Sequence, residues 1–199
     1  MLTVYLARHG QTEENLAHIF QGHLPGRLTE TGKAQAKDLG ERLKDIHFDA
    51  IVSSDLQRVV DTVRLAFGDC SIPWETNPLF REIGWGSWTG LPIDSVDKSH
   101  IPSDAESREQ LYERAERCVS YLREHYDGKT ILVVAHGLIN RSIRAVTEGI
   151  PVDRLAELPH MSNGDVIRLE IAQKRTDLMK SYYFMRSVLF CISKFKTSC

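Results

Sequence analysis

Residues 4–15 read VYLARHGQTEEN. Val4 to Ala7 have the apolar, β-rich composition of a buried strand, yet the run ends on Arg8, His9 and Gly10 instead of ordinary turn residues. Arginine and histidine bind phosphate well, and a glycine beside them lets a ligand approach the backbone. We therefore read Thr3–Ala7 as a strand whose carboxyl end is a site.

The same arrangement recurs further along the chain. FDAIVSS (48–54) ends on Ser53 and Ser54 and is followed by Arg58; TILVVAH (130–136) ends on His136 and is followed by Gly137; DVIRLEI (165–171) is a fourth strand pattern. Helical patterns lie between them. Residues 29–44 place Ala36, Leu39 and Leu43 on one face, residues 55–67 follow the second strand in the same way, and Arg108 to Tyr126 carry a stripe of Leu111, Ala115, Cys118, Val119 and Leu122. Strand and helix in alternation predict an α/β fold, a three-layer sandwich with a largely parallel central sheet and helices on both faces. In such a sheet the carboxyl ends of the strands line one crevice, so Arg8, His9, Arg58 and His136 are expected to converge.

The 199 residues suit one globular core, and a formal charge of −2 argues against nucleic acid as a partner. No stretch is apolar for long enough to cross a membrane, so a cytoplasmic protein is expected. Cys70, Cys118, Cys191 and Cys199 lie far apart without CxxC spacing, which predicts reduced thiols and neither a zinc cage nor a disulfide framework.

Arg8, His9, Gly10, Thr12 and Asn15 together form R-H-G-x-T-x-x-N, and with the segments at 20–36, 53–62, 80–91, 106–117, 133–137 and 161–166 the chain resembles the histidine phosphatase superfamily, phosphatase branch. That superfamily also contains the cofactor-dependent phosphoglycerate mutases, and the resemblance implies a phosphoglycerate mutase-like fold. Neutral imidazole is a good nucleophile toward phosphorus, which makes His9 the expected nucleophile. Adjacent guanidinium charge from Arg8 should hold its pKa down. Arg8 and Arg58 are expected to grip the equatorial phosphate oxygens bidentately, with Asn15, His136 and Gly137 completing substrate binding and His136 stabilising the transition state. Glu82, in FREIGWGSWTG, matches the family's acid; its neighbours Phe80, Ile83, Trp85 and Trp88 are expected to give it apolar surroundings. Glu13, Glu14 and Glu106 are the competing carboxylates. Trp85 and Trp88 fit the core and the substrate mouth equally well.

The expected activity is metal-independent hydrolysis of a small phosphomonoester, with no metal and no cofactor. Family mutases usually carry a long insertion between the acid and the second histidine, where this chain has only residues 90–107 before a helix. They also place tryptophan before the motif asparagine, where this chain has Glu14. Phosphoryl transfer of the mutase type and an inactive phospho-ligand binding module are the alternatives. Homo-oligomerisation is left open by the sequence. The catalytic domain is read as residues 1–172; residues 173–199 form an aromatic extension in which six basic residues face Asp177 alone, with Phe184, Val188, Cys191, Ile192 and Phe195 at helical spacing.

Overall fold

Alternation along the strands decides which layer each side chain enters. In the computed structural model, which describes residues 1–68 and 70–172, β1 (Leu2–Arg8), β2 (Ala50–Ser53), β3 (Trp74–Thr76), β4 (Thr130–Ala135) and β5 (Val166–Ile171) form one sheet. The order is β3-β2-β4-β1-β5. Along β4, Ile131 and Val133 enter one apolar layer, while Leu132 and Val134 enter the other. Both faces of the sheet must therefore be covered, as in parallel sheets generally. Helices α4 (Arg108–Tyr126) and α5 (Gly137–Glu148) cover the first face; α2 (Glu30–Leu43) and α3 (Gln57–Phe67) cover the second.

The stripe read on α4 is the face it buries: Leu111, Ala115, Cys118, Val119 and Leu122 are all buried. Each buried leucine contributes on the order of 2 kcal/mol relative to exposure. Ser107 and Gln110 close a capping box at its start, so the helix begins at Arg108 as the sequence predicts. Thr29 caps α2 by a single bond, its hydroxyl accepting the Gly32 N–H. Among the described residues, no helix is long and apolar enough to cross a membrane.

Register brings the site together. β1, β4 and β2 are parallel neighbours, with Arg8 opposite Ala135 and Ser53 opposite Val134. The next residues, His9, His136 and Ser54, therefore emerge side by side at one edge. β5 runs antiparallel to β1, and the reason lies before it. Asp165 O accepts the Arg8 N–H at 2.9 Å, so residues just before β5 already sit at the carboxyl end of β1 and the strand can only run back down. Helix α5, strand β3 and the short helix α1 (Glu13–Leu16) add to the elements expected from sequence.

Cys70 and Cys118 are free thiols. The extension read at 173–199, its amphipathic spacing, Cys191 and Cys199 lie outside the described residues.

Candidate active site

His9 sits at the centre, 2% exposed. Its Nδ1 lies 2.7 Å from Gly10 O, and a carbonyl only accepts, so Nδ1 carries the proton. Nε2 then presents its lone pair, and it accepts from Arg58 Nε at 3.3 Å. Burial holds the His9 pKa well below the usual imidazole value, with Arg58 and then Arg8 adding in the same direction. The sequence pointed to Arg8 for this effect; burial is the larger cause. The ring is thus a neutral base whose orientation is fixed by its own backbone.

Arg58 is 1% exposed and uses each guanidinium nitrogen: Nη2 donates to Gly22 O at 2.8 Å, Nη1 to Leu24 O, and Nε to His9. Burial lowers its pKa to about 10 against the opposing pull of Glu82 and Glu14, so it stays cationic at neutral pH. Arg8 Nη1 donates to Met161 O at 2.7 Å, while its buried Nε has no partner among the described residues.

His136 is fully buried, with its ring centroid 5.1 Å from that of His9. Burial and then Arg58 push its pKa well down. Nε2 lies 2.9 Å from Ser54 Oγ, and Nδ1 is buried without a partner among the described residues.

Glu82 reaches the start of α5. Oε2 accepts the Leu138 N–H at 3.2 Å, and Oε1 accepts the N–H groups of Ile139 at 3.2 Å and Ile83 at 3.1 Å. The carboxyl is held by backbone donors at a helix N-terminus, not by the apolar neighbours expected: Phe80 and Ile83 turn into the core. Trp85 and Trp88 pack against Phe20 with tilted rings at centroid distances of 4.7 and 5.2 Å and line a cavity beside Leu138; Trp85 also touches the core. The competing carboxylates are engaged elsewhere. Glu106 pairs with Arg114 at 2.7 Å, Glu13 faces Arg27 at 4.0 Å on the surface, and Glu14 accepts from Gln21 at 2.9 Å.

Gly137 leaves a gap between the groups predicted to hold phosphate. A Cβ there would lie 3.5 Å from Arg8 Cζ and 3.7 Å from Glu82 Oε2. Gly10 serves differently from the sequence expectation. A Cβ on it would stand 2.3 Å from Gly32 O, so the glycine admits the backbone of α2 and not a ligand. Asn15 Oδ1 accepts from the Thr12 N–H in a capping box and from Asn163 Nδ2 at 3.2 Å, which leaves its Nδ2 as the group able to face an anion.

Four supporting residues had no assigned role in the sequence reading. Ser54 orients His136. Thr62 Oγ1 accepts the Gly10 N–H at 3.1 Å and donates to Arg58 O at 2.7 Å. Asn163 Nδ2 donates to His9 O at 3.1 Å, and Asn140 Nδ2 ties α5 to Ala7 O at 2.9 Å. Their signal was position: each lies within a segment carrying the resemblance or one helical turn from a site residue.

A family model for the histidine phosphatase superfamily (branch 1) matches residues 4–182. The chain belongs to that superfamily. Among its relatives, the adenosylcobalamin/alpha-ribazole phosphatase of Salmonella typhimurium is 30% identical over 149 residues, covering 68% of this chain and 74% of that protein. The probable phosphoglycerate mutase GpmB of Yersinia pestis is 31% identical over 166 residues, covering 76% and 77%. The solved structure of Bacillus stearothermophilus YhfR superposes with a TM-score of 0.81 at 29% identity, covering 86% of this chain and 92% of that one. The histidine phosphatase fold thus extends over the mostly parallel five-stranded sheet and the helices on both faces.

Proposed function

We propose that the chain is a metal-independent phosphomonoester hydrolase acting on a small phosphorylated metabolite through a phosphohistidine at His9. The observation that supports it most directly is the state of His9: neutral, with the proton fixed on Nδ1 by Gly10 O and the Nε2 lone pair set among Arg58, Arg8 and His136. The phosphatase names of several relatives point the same way.

In the first step Nε2 attacks phosphorus, the P–O ester bond breaks, and Glu82 in its protonated form gives the departing alkoxide its proton. Arg8 and Arg58 supply the cationic charge that the spreading negative charge on the equatorial oxygens requires. With Ser54 Oγ donating to His136 Nε2, the ring proton of His136 sits on Nδ1 and is free to donate to a phosphoryl oxygen. In the second step the Glu82 carboxylate takes a proton from water, the water oxygen bonds to phosphorus, and the P–N bond breaks. Inorganic phosphate leaves and both residues return to their starting forms.

Transfer of the mutase type is the second reading, favoured by the likeness to GpmB. The short segment between Gly90 and Ser107 supports hydrolysis over it, because it offers little to close the pocket against water. The test is release of phosphate from an aryl phosphate in excess chelator, wild type against His9→Ala. Turnover by the wild type that disappears in the variant is the expected result. Turnover surviving His9→Ala, or abolished by the chelator in the wild type, overturns the proposal. Phosphate exchange with 2,3-bisphosphoglycerate faster than its hydrolysis would select the mutase.

A further inference from the structure

A cavity of about 310 Å³ opens beside the start of α5, a size suited to a small-molecule ligand. Phe20, Trp85, Trp88, Leu111 and Leu138 give it an apolar wall, and Lys98, Arg108, Arg141 and His160 also face it. It adjoins the catalytic groups at two points. The Leu138 N–H holds the Glu82 carboxylate, and His160 precedes Met161, whose carbonyl holds Arg8.

Arg141 is the unusual member of this set. It is only 9% exposed, and its Nε and Nη2 are buried without a hydrogen-bond partner among the described residues. A buried guanidinium without a counter-charge is costly, and proteins normally pair it. Here nothing does. Burial and the nearby charge of Arg108 both lower the Arg141 pKa. Glu106, which also lines the cavity, is engaged by Arg114 and by the Gly84 N–H at 3.1 Å; Lys98 has Asp94 at 3.7 Å. Arg141 follows Leu138 by three residues on α5, which places the two side chains on one helix face about 5 Å apart along the axis. The unpaired cation is thus one helical turn beyond the backbone amide that holds Glu82.

We propose that this cavity is the leaving-group subsite, and that the substrate is a phosphomonoester whose leaving group combines an apolar, ring-sized body with a second anionic group seated on the Arg141 guanidinium. The proposal rests on the hydrolase reading above. A carboxylate and a phosphate share the required chemistry, two coplanar or fanned oxygens that accept from a planar fork.

The test compares kcat/KM of the full chain for 3- and 4-carboxyphenyl phosphate with the matching carbamoylphenyl phosphates, which have the same shape without the charge. A second arm replaces the carboxylate by a second phosphate on the ring. For the wild type the anionic ester of at least one pair is expected to be favoured by about tenfold or more, and the arm with the larger ratio names the second anion. Arg141→Gln is expected to bring that ratio close to one, and Arg141→Lys to an intermediate value. Equal kcat/KM for charged and uncharged partners in the wild type overturns the proposal without recourse to any variant. A preference that survives Arg141→Gln, with both substrates slowed alike, overturns the role of Arg141. Absence of turnover on every ester, unsubstituted phenyl phosphate included, is a different failure: it removes the hydrolase reading and this proposal with it.

Discussion

Arg58 and Arg141 both lie near the start of a helix, α3 and α5, and both are buried, yet they are held in opposite ways. Every nitrogen of Arg58 has a partner, two of them backbone carbonyls of the loop at 22–24. Arg141 Nε and Nη2 have none among the described residues. The same contrast separates the two ends of the site. At the proposed phosphoryl end His9, Glu82 and Arg8 are each fixed by backbone groups, so the cost of orienting them is met when the chain folds. At the cavity end charge is gathered without being neutralised, and a ligand would complete it.

The largest effect that can break this contrast comes from truncating both arginines. Arg58→Met is expected to lower kcat/KM by about 10³-fold or more. It should also destabilise the fold by roughly 2–4 kcal/mol, since the buried Gly22 carbonyl, the part-buried Leu24 carbonyl and His9 lose their donor. Arg141→Met removes a buried charge that pairs with nothing described, so its urea midpoint should be unchanged or higher. Equal loss of stability in the two variants would erase the distinction drawn here.

Glu82→Gln sharpens the phosphoryl end. An alkyl phosphate, whose leaving group needs a proton, should slow by about 10²–10⁴-fold in kcat, while a 4-nitrophenyl ester should lose little in its first step. Measuring nitrophenolate release in the pre-steady state separates the two. Uniform slowing of both first steps would assign Glu82 to positioning instead of proton transfer.

Gly137→Ala is a smaller intervention. Its Cβ would stand at ordinary contact distance from Arg8 and Glu82, so the fold should tolerate it, but the methyl occupies the gap where the phosphoryl oxygens are expected. A loss of about 10–100-fold in kcat/KM at unchanged thermal midpoint is predicted.

The last predicted effect is on stability against pH. His9 and His136 have folded pKa values well below the unfolded value near 6.5, so the unfolded chain binds more protons in that range. Stability is therefore complete above the unfolded pKa and falls as pH drops below about 6.5, by at most about 2.7 kcal/mol per pH unit for the two together. Urea midpoints from pH 7.5 to 5.5 should show the decline, and His9→Asn should reduce its slope, the remainder coming from His136 and the less strongly lowered His160. A flat profile would mean that the rings are not buried neutral.

Much of this site was legible in the sequence because strand periodicity and motif coincide. A strand that ends on Arg8-His9 must deliver both residues to a sheet edge, and parallel pairing brings His136 beside them. The start of α5 was hidden for a physical reason. Its N-cap position is His136, with no side-chain cap, and the orphan N–H groups of Leu138 and Ile139 are satisfied by Glu82 from more than fifty residues away. Helix α3 likewise begins without a side-chain cap at Leu56. The direction of β5 depends on where the segment before it is anchored, which no local pattern encodes. Arg141 carries no motif signal in the sequence, and its burial follows from the packing around the cavity it lines.

The claim at the centre of this account is a phosphoryl group on His9 Nε2, and Glu82→Gln offers the most direct view of it. With 4-nitrophenyl phosphate the first step needs no acid, whereas the second still needs the carboxylate as base, so the phosphoenzyme should accumulate. Rapid mixing, an alkaline quench that preserves phosphohistidine, and peptide mass spectrometry would locate it. The account predicts a nitrophenolate burst stoichiometric with enzyme and one phosphoryl group on the peptide bearing His9, at that histidine. A burst whose phosphoryl group lies on His136 or on a serine, or one that persists when His9→Ala is added to the variant, would contradict it.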